Sequence, residues 1–210
     1  APCGVLTEPE PVLVVARYDR TMEGDEILRL HQLDLCQLAG VLPSQKYEAD
    51  GGPGFETCFA LIDAHSARPG LDRLRLVDWT LFNVLTGNAD AHAKNLAMVY
   101  DMDGKLRLAP AYDLLATGYW PALADKMAMA IGGERRPAWV QARHWQRFAE
   151  SVGLNPAQLR RRAKVLFERA MANTETVSAA LAMPAPIATA LGGTLLRNGE
   201  RLVKTMGDAG

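Results

Sequence analysis

The sequence predicts a mainly α-helical fold that carries one short β-hairpin, and three observations predict it. Residues 55–65 and 71–85 place apolar side chains at helical spacing. The second stretch spreads Leu71, Leu74, Leu76, Val77, Leu81, Val84 and Leu85 around much of its circumference, as a helix at the centre of a core does. Two strand-like runs, LAMVY (96–100) and KLRLA (105–109), flank the turn signal Met102-Asp103-Gly104. From about Pro137 onward the pattern is helical: residues 140–152, 155–172 with Pro156 at a first-turn position, 174–181, and 186–206, the last weakened by Gly192, Gly193 and Gly199.

Upstream, the β-branched run over residues 12–18 reads as a buried strand. Residues 18–30 are charged and turn-like. Residues 31–39, with Leu33, Leu35, Cys36 and Leu38, read as a short helix ended by Gly40. LPSQKYEADGGPG (42–54) holds three glycines and two prolines and is a loop of special conformation. APCGVLTEPEP (1–11) reads as an irregular lead-in, with no initiator Met and no capping signal.

The 210 residues suit one domain, or one lobe of a larger one. Hydrophobic residues make up 49% and charged residues 22%, enough for a substantial core. A net charge of −1 gives no overall field to attract nucleic acid or an anionic membrane, so direct nucleic-acid contact is not expected. The basic run Arg160, Arg161, Arg162 and Lys164 reads as a solvated helix face. Cys3, Cys36 and Cys58 lack metal spacing, and the latter two read as buried thiols. No apolar run is long enough to span a bilayer and no signal peptide opens the chain, so a soluble, cytoplasmic protein is expected.

The segment GNADAHAKN (87–95) buries no apolar surface, so its residues call for another purpose. Asp90 and Asn95 stand five apart, and the hairpin returns the chain so that Asp113 approaches them. Two carboxylates and an amide are hard oxygen ligands suited to Mg²⁺, which completes its shell with water and substrate phosphates. Lys94 supplies a compact cation for a phosphate oxygen, and Asp90 is placed to take a hydroxyl proton. Each residue also has a structural reading. Asp90 can cap the turn, Asn95 can satisfy its own backbone, Asp113 can cap LLAT, Lys94 can be solvated and His92 can be a hydrogen-bonding strut.

Gly51, Gly52 and Gly54 precede no helix-opening lysine, so DGGPG is not a P-loop; it reads as a shaped loop beside the cleft, with Lys46 and Tyr47 near a protein substrate. Trp79, Trp120, Trp139 and Trp145 form no stacking platform and read as core or rim aromatics. His31, His65 and His144 read as structural, and Asp19 with Arg20 as an ion pair.

The interval from Asp90 to Asn95, with Asp113 after a hairpin, matches the protein-kinase pattern of a base Asp, a metal-binding Asn and a later metal-binding Asp. The wording NADAHAKN followed by APAYDLLAT resembles the HipA-type serine/threonine kinases, bacterial toxins of toxin–antitoxin systems. VVARYDR (14–20) is similar to that family's hinge strand, HQLDLCQLAG (31–40) to its following helix and QKYEADGGPG (45–54) to its glycine-rich loop. The resemblance covers about residues 13–167 in order.

That resemblance implies a protein-kinase-like C-terminal lobe acting with ATP and Mg²⁺ on a Ser or Thr hydroxyl of a protein. Asp90 is then the base, Asn95 and Asp113 hold the metal, and His92 and Lys94 lie near the triphosphate. The hinge contacts adenine through the backbone of Ala16 and Tyr18, with Tyr18 lining the pocket. Family members often carry Glu where Ala16 stands, a change that a main-chain contact survives. The implied partner is a HipB-like DNA-binding antitoxin. One departure lies at the front: the family's nucleotide-binding lysine and phosphate loop precede the hinge, whereas the eleven residues before Val12 contain neither lysine nor serine. The expectation is therefore a C-terminal lobe without its partner lobe. A non-catalytic kinase-like binding module is the alternative, and a metal-dependent hydrolase a third option that would want a cluster richer in His or carboxylates.

Overall fold

The computed structural model describes residues 2–6, 10, 12–123 and 125–207. The architecture is mainly helical with three small antiparallel sheets. At its centre is α3 (Pro69–Thr86), opened by Pro69 and closed by Gly87. Gly87 adopts φ 70° and donates its N–H to the Asn83 and Val84 carbonyls, a left-handed helix stop that glycine adopts without penalty. Leu76, Leu81 and Leu85 are fully buried among Phe59 and Ile62 of α2 (Phe55–His65) and Phe148 of α4 (Ala142–Ser151). Leu71 and Leu74 stay exposed, so α3 is central only from Leu76 onward.

The expected hairpin forms as β6 (Ala97–Tyr100) and β7 (Leu106–Leu108), with Met98 opposite Leu108. On its other edge β6 pairs with β5 (Gln32–Asp34), giving the order β5-β6-β7. Asp72, fully buried on α3, ties this sheet to the core. Its carboxylate accepts from the Ser66 hydroxyl at 2.6 Å and the Leu108 amide at 2.9 Å.

Several expectations need correction. Residues 31–39 are not one helix. Asp34 accepts from the Gln37 amide while the Gln37 side chain accepts from the Asp34 amide, a capping box that starts α1 (Leu35–Leu38) at Leu35 and leaves residues 32–34 to the sheet. The strand over residues 12–18 shortens to β2 (Val12–Val15) and is exposed at every position, because its one partner is β1 (Cys3–Leu6) in a two-stranded ribbon. Its β-branched residues reported strand propensity, not burial. The lead-in read as irregular thus contains β1. The charged stretch 18–30 folds as a second ribbon, β3 (Arg20–Glu23) with β4 (Glu26–Arg29).

The segments 155–172 and 174–181 are one helix, α5 (Pro156–Ala180), started by Asn155, whose side chain accepts from the Ala157 and Gln158 amides. Asn173, the residue left between the two segments, stays helical: it donates back to the Arg169 carbonyl, as Thr174 does to the Ala170 carbonyl. On α6 (Ala185–Gly207), Gly199 is a contact glycine, since a Cβ there would lie 2.0 Å from the Phe167 ring. The basic run is not a uniformly solvated face, because Arg162 forms a two-bond pair with Asp78 of α3. Cys36, Cys58, Trp79 and Trp145 are buried as expected, and Trp120 and Trp139 are rim residues. Asp19, 1% exposed, is held by Arg17 at 2.7 Å and Arg20 at 2.6 Å, which together keep its carboxyl at about 2 despite burial. No helix among the described residues is long and apolar enough to cross a membrane.

Candidate active site

The polar segment after α3 is a turn whose backbone is fixed from several sides. The Asn88 side chain donates to Asn83 Oδ1 at 2.8 Å and accepts the Asp90 amide at 3.1 Å. The Thr117 hydroxyl accepts from the Ala89 amide at 2.7 Å and donates to the Gly87 carbonyl at 3.1 Å. The Asp90 carbonyl accepts from the His92 amide at 3.0 Å and from Asn95 Nδ2 at 3.1 Å. The five-residue spacing therefore has a direct expression: the Asn95 side chain reaches back to the Asp90 main chain. With Nδ2 so engaged, Oδ1 is the atom Asn95 can offer to a cation.

Three groups converge on one oxygen of the half-exposed Asp90 carboxylate. The Tyr47 hydroxyl donates to Oδ1 at 2.8 Å, His92 Nε2 lies 3.8 Å from it and Lys46 Nζ 3.9 Å. Tyr47 and Lys46 come from the glycine-rich loop, 43 residues earlier, and the loop's glycines explain how they get there. Gly51 takes φ 87°, and the Gly52 amide donates to the Tyr47 carbonyl at 2.9 Å. A Cβ on Gly52 would stand 2.2 Å from the Gln45 carbonyl oxygen, so the turn that presents Tyr47 demands glycine. The Glu48 carboxylate, accepting from the Ala130 amide, anchors the same loop.

His92 is buried, its ring meets Tyr47 edge-on at 5.5 Å, and its Nδ1 has no hydrogen-bond partner among the described residues. Burial first, then the charge of Lys46, push its pKa below the ordinary imidazole value, against the opposing pull of Asp90 and Asp113. Burial and Lys46 therefore favour the neutral imidazole beside Asp90.

Asp113 adopts φ 54°, one of two non-glycine residues in the left-handed region among those described, at a cost of about 1 kcal/mol. Its side chain makes no hydrogen bond among the described residues, and its charge is felt at His92 and at Tyr112. Tyr112 is clamped: its hydroxyl donates to the Lys94 carbonyl at 2.9 Å, and its ring stacks on Tyr18 at 5.9 Å. Tyr18 in turn donates to Gln32 Oε1 at 2.7 Å. A cavity of about 390 Å³ adjoins this corner, lined by Trp79, Asn95, Ala109, Pro110, Tyr112 and Leu114 among others.

The fold thus brings Asp90, His92 and Asn95 together, links Tyr18 to them through Tyr112, and sets Asp113 within electrostatic reach. Two of the expected residues make no side-chain hydrogen bond or ion pair with this cluster among the described residues. The Lys94 side chain is exposed and forms no ion pair among the described residues, and the cation that stands beside Asp90 is Lys46. The Ala16 amide donates to the Pro2 carbonyl at 2.9 Å, closing the β1–β2 ribbon instead of facing the site. The residue that sequence reasoning left unconnected to Asp90 is Tyr47. Its only signal was a tyrosine beside a lysine in a glycine-rich loop, with nothing to tie it to Asp90.

Comparisons with known proteins show what the whole chain is similar to. The family model of the HipA-like C-terminal domain matches residues 1–176. A putative kinase, Y4mE, of Sinorhizobium fredii is 48% identical over 153 residues, covering 72% of this chain and 36% of the relative. The serine/threonine-protein kinase toxin HipA of Shewanella oneidensis is 34% identical over 155 residues, covering 68% of this chain and 35% of the relative. Among solved structures, a chain in the complex of the Shewanella oneidensis MR-1 toxin–antitoxin system HipA, HipB and its operator DNA superposes with a TM-score of 0.88. That match has 26% identity and covers 99% of this chain and 53% of the other. The chain therefore spans between about a third and a half of the length of the relatives it matches.

Proposed function

Because the chain belongs to the HipA-like C-terminal domain family, we propose that it forms the kinase-like lobe carrying the base and the metal ligands for ATP- and Mg²⁺-dependent phosphoryl transfer to a serine or threonine hydroxyl of a protein. The observation that carries this reading is the bond from Asn95 Nδ2 to the Asp90 carbonyl. It joins the candidate base and a candidate ligand in one rigid turn and leaves the Asn95 oxygen available.

The donor set fits Mg²⁺. No group of three His, Cys, Asp or Glu residues that could hold a metal occurs among the described residues, so a cation here would rely on Asn95 Oδ1 and the Asp113 carboxylate. Two protein oxygens are what Mg²⁺ takes when water and phosphate complete its shell. When bound, the ion would neutralise the charge on the nucleotide phosphates. Asp90 would accept the proton of the acceptor hydroxyl as its oxygen bonds to phosphorus and ADP departs. The buried turn holds Asp90 in place, so positioning and electrostatics supply most of the effect. The solved relative's complex with HipB supports an antitoxin of that kind as the partner of this chain.

One observation favours a second reading, a non-catalytic kinase-like module that binds an antitoxin or another protein. The N–H of Ala16, one of the two residues whose backbone was expected to contact adenine, is already engaged by Pro2.

Calorimetry separates the two. Magnesium-dependent ATP binding by this chain that Asp113→Ala abolishes, with transfer to a Ser/Thr peptide by the full-length protein, is the expected result. ATP binding indifferent to magnesium and to Asp113, or a full-length protein that transfers nothing, would leave the module reading.

A further inference from the structure

The two oxygens of the Asp90 carboxylate are not equivalent. Oδ1 receives the Tyr47 hydroxyl at 2.8 Å and has His92 Nε2 and Lys46 Nζ within 4 Å, whereas no group among the described residues is bonded to Oδ2. Tyr47 is not a loose side chain that chanced upon the carboxylate. Its carbonyl accepts from the Asp50 and Gly52 amides, the Glu48 amide beside it donates to the Ala128 carbonyl at 3.3 Å, and the turn is closed by a glycine that tolerates no Cβ. Its ring is braced on one side by His92 and approached by Lys46 Nζ at 4.8 Å. A carboxylate fixed through its backbone can still rotate about its last bond. A hydroxyl fixed from a separate loop removes that freedom.

We propose that Tyr47 is the positioning residue of the base: it holds Oδ1, so that Oδ2 is the oxygen that receives the acceptor proton. This rests on the phosphoryl-transfer reading above. In the step, the acceptor O–H proton passes to Oδ2, the acceptor oxygen bonds to the γ-phosphorus, and the bond from that phosphorus to the ADP oxygen breaks. Tyr47 keeps its own proton throughout and acts only through Asp90. Lys46 adds a positive charge beside Oδ1, which further marks that oxygen as the held one.

The test uses the full-length protein and compares Tyr47→Phe with Tyr47→Ala. Tyr47→Phe keeps the ring against His92 and removes only the hydroxyl. The expected result is a fall in kcat of about tenfold to a hundredfold, the scale of a misplaced catalytic group. KM for the peptide and the MgATP affinity measured by calorimetry should stay at the unsubstituted values, and Tyr47→Ala should lose at least as much. Full activity in Tyr47→Phe with loss in Tyr47→Ala would reduce Tyr47 to a packing residue and overturn the proposal. A rise in kcat for Tyr47→Phe would overturn it in the other direction, making Tyr47 a plug in the acceptor's place. If the unsubstituted protein transfers no phosphate while binding MgATP, it is the phosphoryl-transfer reading that fails, and the proposal falls with it.

Discussion

The Tyr112 hydroxyl donates to the Lys94 carbonyl across 2.9 Å, and each partner immediately precedes a candidate metal ligand, Asp113 and Asn95. One hydrogen bond thus ties together the two stretches that carry them, eighteen residues apart in sequence. Tyr112→Phe removes that bond and keeps the stack on Tyr18. A bond of this kind contributes about 1 kcal/mol, so magnesium-dependent ATP affinity should weaken by roughly fivefold to tenfold. Calorimetry at several magnesium concentrations checks it, and an unchanged affinity would show that the two ligands are aligned by other means.

Asp113 combines an unusual backbone with an uncommitted side chain. Asn tolerates the left-handed region about as well as Asp does, so Asp113→Asn separates fold from ligand chemistry. The expected outcome is an unfolding midpoint within about 0.5 kcal/mol of the unsubstituted chain, as for a surface change, with magnesium-dependent ATP binding lost. Chemical denaturation alongside calorimetry reads both quantities.

His92 should report the charges around it. Its pKa is lowered by burial and then by Lys46. Lys46→Met removes a positive charge and should raise the His92 midpoint, whereas Asp90→Asn removes a negative one and should lower it further; imidazole proton resonances follow both. For stability the sign is fixed by proton counting. A histidine depressed in the folded state binds fewer protons there than when unfolded, so stability falls as pH drops below about 6.5 towards the folded value. His144, lowered by burial and Arg143, adds to the same acid-side loss. Asp19 acts in a separate window: lowered to about 2, it supports the fold above its ordinary value of 3.8 and loses that support as pH falls towards 2.

Gly199 sits against the Phe167 ring with no room for a methyl. Gly199→Ala gains helix propensity, but the clash outweighs it, and the net loss should be about 1–3 kcal/mol. Denaturant titration measures it, and Phe167→Leu in the same chain should recover part. A stabilised Gly199→Ala would mean that the α5–α6 contact relaxes at little cost.

The helices and the central hairpin were legible because each burial pattern is local: α2 is found where its period places it, and β6 and β7 flank Met102-Asp103-Gly104 as expected. What was not legible depends on partners distant in sequence. Nothing in VLVV says whether a strand will be covered, so Val12–Val15 was given a burial it does not have. Asn173 was left out of the helix, and it stays in because its side chain finds the Arg169 carbonyl. Within the site, the spacing of Asp90 and Asn95 was readable because both lie in one turn. Lys46 and Tyr47 were read only as neighbours of a protein substrate, because nothing local shows that a loop more than forty residues earlier meets Asp90.

The ribbon of β1 and β2 has a consequence for nucleotide binding. Two strands with their apolar faces in water are marginal as a unit, so their amides belong to the least protected class of the molecule. The Ala16 N–H is one of those amides. Any base that docks there competes with the Pro2 carbonyl for a single proton donor, and its observed affinity is discounted by the fraction of time the pair stays closed.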